Sequence, residues 1–176
     1  MIIVIFVSGI HGVGKTYFCN IMKKRLNVES YSASQLIAAR RNERFSGNKL
    51  VSDIDDNQDL LVAAIDELRK AGKEFILDGH FCLLNESGEI TRIPLNTYML
   101  LKPDVIILLT EKPEIIADRR LQRDNVCQGI SEIAVFQEEE VCYAKEIAER
   151  LEVSLVISRG KNDIDKIVDF IKGGVY

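Results

Sequence analysis

Residues 9–16 of the chain read Gly-Ile-His-Gly-Val-Gly-Lys-Thr and match the spacing Gly-x-x-x-x-Gly-Lys-Thr in full. An apolar run precedes this stretch and a segment of helical character follows it, so the sequence predicts a buried strand, a tight loop and a helix in that order. Glycines let backbone N–H groups converge on an anion without Cβ clashes, and the following helix adds the positive end of its dipole. The sequence therefore predicts a phosphate-binding loop within an α/β fold.

The residue types of this loop fit the phosphate groups of a nucleoside triphosphate such as ATP. Lys15 is a mobile point charge that can reach the β and γ phosphates, and the Thr16 hydroxyl can ligate Mg²⁺. We predict that the phosphates are bound by Gly9, Gly12, Val13, Gly14, Lys15, Thr16 and Tyr17. His11 stands at a variable position of the motif and is interpreted as a surface or loop side chain. The alternative is a glycine-rich turn that binds nothing. In that case the match to the motif, and the strand and helix on either side of it, would arise by chance.

The length and charge of the chain argue against several classes of protein. Its 176 residues fit one domain, and 47% apolar with 28% charged residues is typical of a soluble globular chain. The formal net charge of −4 argues against a nucleic-acid partner, although a local basic patch leaves an RNA open. No apolar run approaches the ~18 residues that cross a bilayer, so we expect a cytoplasmic protein without a membrane anchor. The four cysteines form no Cys-x-x-Cys pair, so we expect reduced thiols and no zinc site.

Four apolar runs without polar alternation predict strands that are buried on both faces, as in a parallel sheet covered by helices. They are Ile2–Val7, Phe75–Leu77, Val105–Leu109 and Val153–Ile157, with a weaker candidate at Val28–Tyr31. Helical patterns alternate with these runs. The predicted helices cover Thr16–Leu26, Ser34–Arg41, Leu61–Leu68, Pro113–Arg123, Ser131–Leu151 and Ile164–Ile171. This order predicts a three-layer P-loop NTPase fold, with a parallel five-stranded sheet and helices on both faces.

Two polar segments interrupt the alternation of strands and helices. Glu43–Asn57 is rich in turn-forming residues, and Phe81–Asn96 contains a turn signal at residues 85–88 that predicts a small hairpin. Excursions of this kind in compact α/β enzymes often carry substrate contacts. The sequence contains no linker or repeat, so residues 1–176 are interpreted as a single domain.

Asp78 ends the predicted strand Phe75–Leu77 and so lies at the carboxyl edge of the sheet, where α/β proteins place their ligands. A carboxylate there can hold Mg²⁺ or its water shell; the alternative is a turn or helix-cap aspartate before Gly79. His80 follows on the same edge and can orient a phosphate, a water molecule or an acceptor, although a single histidine is as often structural. We predict Thr16 and Asp78 as metal ligands and Asp78 and His80 as candidate catalytic residues.

Arginines at spacings of three and four cluster near the end of a predicted helix. They are Arg119, Arg120 and Arg123. Phosphoryl transfer builds negative charge that guanidinium groups stabilise, so we predict these arginines and Lys15 as catalytic residues. The alternative is a solvated helix face paired with Asp118 and Asp124. The polar stretch that follows, residues 124–129, has the character of a short lid.

Other charged groups have weaker interpretations. Three arginines of the first polar segment would hold the phosphate of an acceptor in a two-substrate kinase, or would form a salt-bridged surface. They are Arg40, Arg41 and Arg44. Glu138–Glu140 is interpreted as a solvated helix face. Asp53, Asp55 and Asp56 are interpreted as turn and cap residues, and neither acidic group is assigned chemistry.

The whole chain resembles the archaeal-type adenylate kinases and their relatives, a group that includes the nuclear adenylate kinase/ATPase of eukaryotic ribosome assembly. The strongest stretch runs from Phe75 to Arg123. It contains Phe-Ile-Leu-Asp-Gly-His, then Pro-Leu-Asn, then Leu-Leu-Lys-Pro-Asp-Val-Ile-Ile-Leu-Leu-Thr, and finally Ile-Ile-Ala-Asp-Arg-Arg-Leu. Family members show a similar strand ending in Asp-x-His, a Lys/Asn-Pro-Asp strand, and an Arg-Arg helix that opens the lid.

The resemblance implies an adenylate-kinase-like core with a short lid, MgATP as phosphate donor and a nucleoside monophosphate as acceptor. An acceptor-binding excursion would lie at about 32–60 and a lid at about 119–131. The loop glycines, Lys15 and Thr16 would bind the ATP phosphates. Asp78 and His80 match the Asp-x-His element, and the three arginines match the lid arginines.

The chain also departs from the family in two places. The lid is shorter, and the pattern Asp-Gly-Phe-Pro-Arg of common adenylate kinases is absent because Phe81-Cys82-Leu83 supplies no arginine. Arg92 is a candidate substitute for it. Both departures leave the identity of the acceptor open.

Three function classes follow. The leading one is a small-molecule kinase that converts MgATP and a nucleoside monophosphate to ADP and a nucleoside diphosphate, with a nucleoside or another metabolite as a variant acceptor. The second is a P-loop ATPase that acts as a switch or assembly factor and is recognised by a protein partner. The third is a nucleotide-binding module without turnover, which would not need Lys15, Thr16, Asp78 and the arginines together.

Overall fold

The computed structural model describes residues 3–45, 54–85, 87–159 and 161–174, with the side chains at 43–45, 54–56 and 161 outside the described set. The strands in these ranges are β1 (Val4–Ser8), β2 (Glu29–Ser32), β3 (Phe75–Asp78), β4 (Cys82–Leu84), β5 (Ile90–Arg92), β6 (Val105–Leu109) and β7 (Ser154–Ser158). The helices are α1 (Lys15–Leu26), α2 (Ala33–Phe45), α3 (Ile54–Lys70), α4 (Leu95–Leu101), α5 (Pro113–Asp124), α6 (Ile130–Leu151) and α7 (Ile164–Lys172).

Five strands form one parallel sheet in the order β2-β3-β1-β6-β7. Strand β1 is central, and every one of its residues is buried because it is made of branched and aromatic side chains covered on both faces. In this register Val7 of β1 lies beside Asp78 of β3, and Ser8 lies beside Leu108 of β6. The loop that follows β1 and the residues that follow β3 therefore share the carboxyl edge of the sheet.

The helices fall into two groups by their contacts. Helix α1 packs against α7, whereas α6 packs against α4 and α5, and α3 packs against α2 and α4. The predicted fold class, a parallel five-stranded α/β sheet with helices of the P-loop type, is confirmed. The weak strand candidate at Val28–Tyr31 is confirmed as β2. No helix within the described ranges is long and apolar enough to cross a membrane.

The segment after β3 contains one predicted feature and one that the pattern missed. The predicted hairpin is present as β4 and β5, which pair antiparallel. Helix α4 was not predicted, because seven residues are too few for a helical period to stand out. Its first turn buries Thr97 and Tyr98 while Met99 and Leu100 face outward. This helix places Thr97 and Tyr98 beside the carboxyl edge of the sheet.

Two sequence interpretations are wrong in detail. The polar segment Glu43–Asn57 is helical at both ends, because α2 continues to Phe45 and α3 begins at Ile54; residues 46–53 lie outside the described residues. Strand β7 was expected to be buried on both faces, but it is an edge strand in which Ile157 is 44% exposed.

Candidate active site

The loop between β1 and α1 has the backbone that its glycines predict. Gly9, Gly12 and Gly14 have φ angles of 148°, 86° and 107°, in the region that side chains disfavour. A Cβ atom at Gly9 would lie 2.8 Å from the carbonyl oxygen of Leu109, so only glycine lets the loop pass this close to β6. Helix α1 begins directly after Gly14, and its N-terminal N–H groups face the loop.

The side chain of Lys15 bends back over the phosphate loop that precedes helix α1. Its Nζ donates a hydrogen bond of 2.6 Å to the carbonyl oxygen of Gly9 and lies 4.0 Å from Oδ1 of Asp78, and the side chain is only 9% exposed. Burial lowers the pKa of Lys15, while the carboxylates of Asp78 and Glu140 oppose this effect. The motif lysine is thus positioned between the phosphate loop and the end of β3.

Asp78 and His80 lie side by side with the loop, as predicted. The N–H of Gly79 donates to the carbonyl oxygen of Val7, which ties the end of β3 to the end of β1. Burial raises the pKa of Asp78, and Lys15 opposes this shift. Burial also lowers the pKa of His80 to about 3, with further lowering from nearby Lys15 and opposition from a hydrogen bond with the Gly9 backbone. His80 is therefore a neutral ring at neutral pH, held against the loop.

All three predicted arginines of α5 reach the phosphate loop, but they differ in what they contact. Arg119 donates to the carbonyl oxygen of Val13 at 3.0 Å. Arg120, only 5% exposed, donates through Nε and Nη2 to the carbonyl oxygen of His11, at 2.9 and 2.6 Å. The more exposed Arg123 contacts Nε2 of His11 at 2.9 Å. Arg119 and Arg120 thus hold the loop backbone, Arg123 contacts only a side chain of the loop, and Arg120 is the most deeply buried of the three.

Asp124 pairs with Arg123, as the solvated-face alternative predicted for this one pair. The hydrogen bond from Arg123, followed by one from His11, lowers the pKa of Asp124 to about 2. His11 is exposed, in agreement with its interpretation as a loop side chain. The start of the short lid is thereby tied to the phosphate loop.

Two cavities meet at the phosphate loop and share Gly12, Gly14, Tyr17 and Arg123. The β3-side cavity, about 590 Å³, extends over the end of β3 and is bounded by Lys15, Thr16, Asp78, His80, Thr97 and Tyr98. The β7-side cavity, about 740 Å³, extends toward α7 and is bounded by Val13, Phe18, Arg119, Arg159, Asn162 and Ile164. Both volumes fall in the range of small-molecule sites.

Glu140 is the functional-site residue that sequence reasoning missed. It was interpreted as part of a solvated face, but its side chain is 1% exposed and accepts hydrogen bonds from Ser8 and from the backbone of Phe81 and Cys82. Burial raises its pKa, and these three bonds oppose the shift. The signal was present in the spacing, because Glu140 falls on the buried face of α6 that Phe136 defines four residues earlier.

The second arginine cluster does not line either cavity within the described residues. Arg40 forms an ion pair with Glu67, and Arg41 donates a hydrogen bond to Asn57, so both link α2 to α3. The Arg44 side chain lies outside the described set, as do Asp53 and the side chains of Asp55 and Asp56. The ion pair of Arg40 matches the alternative of a salt-bridged surface, whereas the hydrogen bond of Arg41 is to a neutral amide.

Arg92, the candidate substitute for the missing arginine, also lies elsewhere. It pairs with Glu139 at 2.6 Å and with Glu146 at 2.9 Å, and its guanidinium lies 4.6 Å from the centre of the Tyr143 ring. These contacts fix the hairpin strand β5 to α6. Arg92 therefore has no place in the β3-side cavity.

The site residues fit a divalent cation of the kind that binds with nucleotide phosphates. Thr16 and Asp78 both line the β3-side cavity next to Lys15, and hydroxyl and carboxylate oxygens are the ligands that Mg²⁺ takes. Among the described residues, no group of three or more His, Cys, Asp or Glu side chains could by itself hold a metal ion.

A parallel sheet with a phosphate loop at its carboxyl edge, bordered by two cavities and an arginine-bearing helix, defines a small P-loop kinase. The sequence profile of the family AAA_17, described as "AAA domain", matches residues 8–134. The chain belongs to this family.

Relatives agree with this assignment. The chain is 26% identical over 175 residues to a Methanocaldococcus jannaschii protein named "Putative adenylate kinase", covering 96% of this chain and 85% of that protein. A protein of the same name from Thermococcus onnurineus is 25% identical over 174 residues, with 97% and 85% covered. The resemblance to the archaeal-type adenylate kinases and their relatives is confirmed.

Solved structures share the fold at low identity. Shikimate kinase from Acinetobacter baumannii superposes with a TM-score of 0.60 at 14% identity, covering 98% of this chain and 94% of that one. A gluconokinase from Sinorhizobium meliloti gives 0.54 at 16% identity, with 98% and 91% covered. At these identities the likeness establishes the architecture alone.

Proposed function

We propose that the protein transfers the γ-phosphate of MgATP to a small-molecule acceptor. The observation that carries this proposal is the meeting of two cavities at the phosphate loop, with Lys15 and Asp78 on the β3 side. ATP bound in the β7-side cavity would present its γ-phosphate at this junction, facing an acceptor in the other cavity. A phosphotransferase needs two such pockets at reacting distance, whereas a module that only binds a nucleotide needs one.

Catalysis would consist mainly of positioning and charge stabilisation. Lys15, freed from the carbonyl of Gly9, would follow the charge on the β and γ phosphates. Arg119 and Arg123 line the β7-side cavity and would contact the same phosphates. Thr16 and Asp78 would hold Mg²⁺, whose chemistry when bound is charge neutralisation at the phosphate oxygens.

The first candidate acceptor is a nucleoside monophosphate, which would give ADP and a nucleoside diphosphate. The similarity to archaeal proteins named as adenylate kinases supports it. The size of the β3-side cavity also fits a nucleotide. In this reading the dianionic phosphate of the acceptor would lie against Lys15 and Arg123.

A second candidate acceptor is an uncharged alcohol, for example a nucleoside. The observation that favours it is the lining of the β3-side cavity. Within the described residues, the cations in this lining are Lys15 and Arg123, both at the phosphate loop. Apart from Asp78, the rest of the described wall is apolar or neutral, and its hydrogen-bonding groups include Gln58 and Thr97. Away from the loop, such a wall offers no cation to a second phosphate and can accept a hydroxyl group.

The experiment is ADP formation from MgATP with matched pairs of acceptors. Each nucleoside is compared with its own 5′-monophosphate and with a no-acceptor control, so that only the phosphate differs within a pair. Stimulation by one or more monophosphates supports the nucleotide kinase. Stimulation by the unphosphorylated partners supports the alcohol kinase. An ADP rate that no acceptor changes would contradict the proposal and favour an ATPase.

A further inference from the structure

One buried carboxylate joins three parts of the fold that border the phosphate loop. Oε1 of Glu140 accepts hydrogen bonds from the Ser8 hydroxyl and from the N–H of Phe81, and Oε2 accepts one of 2.7 Å from the N–H of Cys82. The carboxylate comes from the middle of α6. Ser8 is the last residue of β1, and the other two donors follow β3.

Each residue that donates a hydrogen bond to Glu140 stands one or two positions in the sequence from a residue of the candidate site. Ser8 directly precedes Gly9, whose carbonyl oxygen accepts the hydrogen bond from Lys15. Phe81 directly follows His80, on the segment that leaves Asp78. Because both segments bond to the same carboxylate, a movement of one relative to the other would break a hydrogen bond. Backbone hydrogen bonds alone tie them together only as far as Gly79, which donates to Val7.

We propose that Glu140 is a positioning residue that fixes the phosphate loop relative to the Asp78–His80 segment. The ATP phosphates and the phosphate acceptor are then held at reacting distance. This proposal rests on the proposed phosphotransfer for its effect on turnover. Its effect on nucleotide binding is independent of any acceptor. Glu140 does not line either cavity, so its influence passes through Ser8, through the backbone of Phe81 and Cys82, and through the charge that it presents to Lys15.

A carboxylate is the group that this place requires. Three donors converge on two oxygens, and each oxygen faces a backbone N–H, which cannot accept a hydrogen bond from a donating group. In Glu140→Gln the amide NH₂ would face a backbone N–H or the hydroxyl, which leaves at least one buried donor unpaired. The side chain keeps its length and volume, so the change tests the hydrogen bonds and the charge but not the packing. Ser8→Ala keeps the charge and tests one hydrogen bond alone.

The experiment compares Glu140→Gln and Ser8→Ala with a control on the buried face of the same helix, Ile147→Val. The control removes one methylene from a fully buried side chain and lowers stability without touching the loop. Affinity for a non-hydrolysable MgATP analogue is measured by calorimetry, at a temperature well below the Tm of each variant. Steady-state kinetics with a responsive acceptor then separate kcat from KM.

We expect Glu140→Gln to weaken binding of the analogue at least fivefold and to lower kcat at least tenfold, since small misplacements in a site cost large factors in rate. Ser8→Ala should weaken binding about threefold, and its effect should not add in full to that of Glu140→Gln, because the Ser8 bond is one of the three that Glu140 accepts. Ile147→Val should stay within twofold in both measurements.

The proposal is overturned if folded Glu140→Gln binds the analogue within twofold of wild type, or if Ile147→Val weakens binding as much. If Glu140→Gln does not fold, an unchanged affinity in Ser8→Ala overturns it. If wild type binds the analogue but no acceptor raises its turnover, the proposed function fails while the binding measurements still decide the role of Glu140.

Discussion

Arg120 of α5 donates two hydrogen bonds to the carbonyl oxygen of His11, in the middle of the phosphate loop. Its side chain is almost fully buried, and its third nitrogen contacts Gln128 within the polar segment 124–129. Of the three arginines on this helix, Arg120 is thus the one whose guanidinium is used by the fold itself. Arg123, 59% exposed, keeps its guanidinium at the surface where both cavities meet.

This difference predicts that two substitutions change different properties: one lowers the stability of the fold, and the other lowers the rate of turnover. Arg120→Ala removes a buried guanidinium and its charge-assisted hydrogen bonds to the His11 carbonyl, and should destabilise the fold by about 3 kcal/mol. For a chain of this size that corresponds to a fall in Tm of roughly 6–12 °C. Arg123→Ala removes an exposed group and should change Tm little while lowering kcat, since Arg123 borders both cavities at the proposed phosphate site. Thermal unfolding and kinetics on both variants check the prediction. The reverse pattern would show that Arg123 is the structural arginine.

The low pKa of His80 predicts a pH-dependent stability. Burial holds this pKa at about 3 in the folded chain, against 6.5 for a free histidine. Between these values the unfolded chain binds one more proton, so the free energy of unfolding falls as the pH drops below 6.5. The contribution of His80 should be about 2 kcal/mol between pH 7.5 and pH 5.0. Denaturant unfolding without nucleotide measures it.

The matched variant for this prediction is His80→Asn, which cannot take up the proton in this range. The pH dependence of its free energy of unfolding should be shallower than that of wild type by the same amount. Equal pH dependence in the two proteins would mean that His80 titrates alike in the folded and unfolded chains.

The contact of Gly79 with Phe6 predicts a steric requirement beside Asp78. A Cβ atom at Gly79 would lie 2.7 Å from the Phe6 ring, which is itself fixed edge-on against Phe81 and Tyr98. Gly79→Ala should therefore cost about 1–3 kcal/mol of stability. The control is Gly129→Ala, where the nearest atoms lie 3.6 Å away and φ is −62°. Chemical denaturation distinguishes the two; equal stability of the two variants would contradict the packing argument.

Most lining residues belong to only one of the two cavities. A larger side chain can therefore fill the β3-side cavity without affecting binding in the β7-side cavity. Ser34 lines the β3-side cavity and is absent from the lining of the β7-side cavity. Ser34→Phe should raise the KM of the acceptor at least tenfold and leave the affinity for an MgATP analogue within twofold. Ser87→Phe, at the exposed turn of the hairpin, is the control. A parallel loss of both affinities in Ser34→Phe would mean that the β3-side cavity holds the donor.

The parts of the site that follow from local rules could be predicted from the sequence. The phosphate loop is encoded by glycine spacing, and the position of Asp78 follows from the end of a buried strand in a parallel sheet. Both depend on a few neighbouring residues. The spacing of three arginines on one helix also predicted a cluster, which the resemblance matched, and the structure brings all three to the loop.

The remaining features depend on how helices are oriented in the fold. Sequence spacing put Arg119, Arg120 and Arg123 on one helix, but only the docking of α5 decides that Arg120 contacts the His11 carbonyl. Glu140 stood in a run of three glutamates, where composition indicates solvent exposure; its burial follows from the face that α6 turns toward β1. Helix α4 was too short to show a period.

The most direct test of phosphoryl transfer at this loop uses Lys15. The rate of ADP formation from MgATP is measured with and without a saturating acceptor in wild type, in Lys15→Met and in Lys24→Met, an exposed lysine of the same helix. We predict that the acceptor raises the wild-type rate at least tenfold. The acceptor-stimulated rate of Lys15→Met should be at least 100-fold lower than that of wild type, although the variant stays folded. The rate of Lys24→Met should stay within twofold of wild type. Acceptor-dependent transfer that survives in Lys15→Met, or ADP formation that ignores every acceptor, would contradict the account.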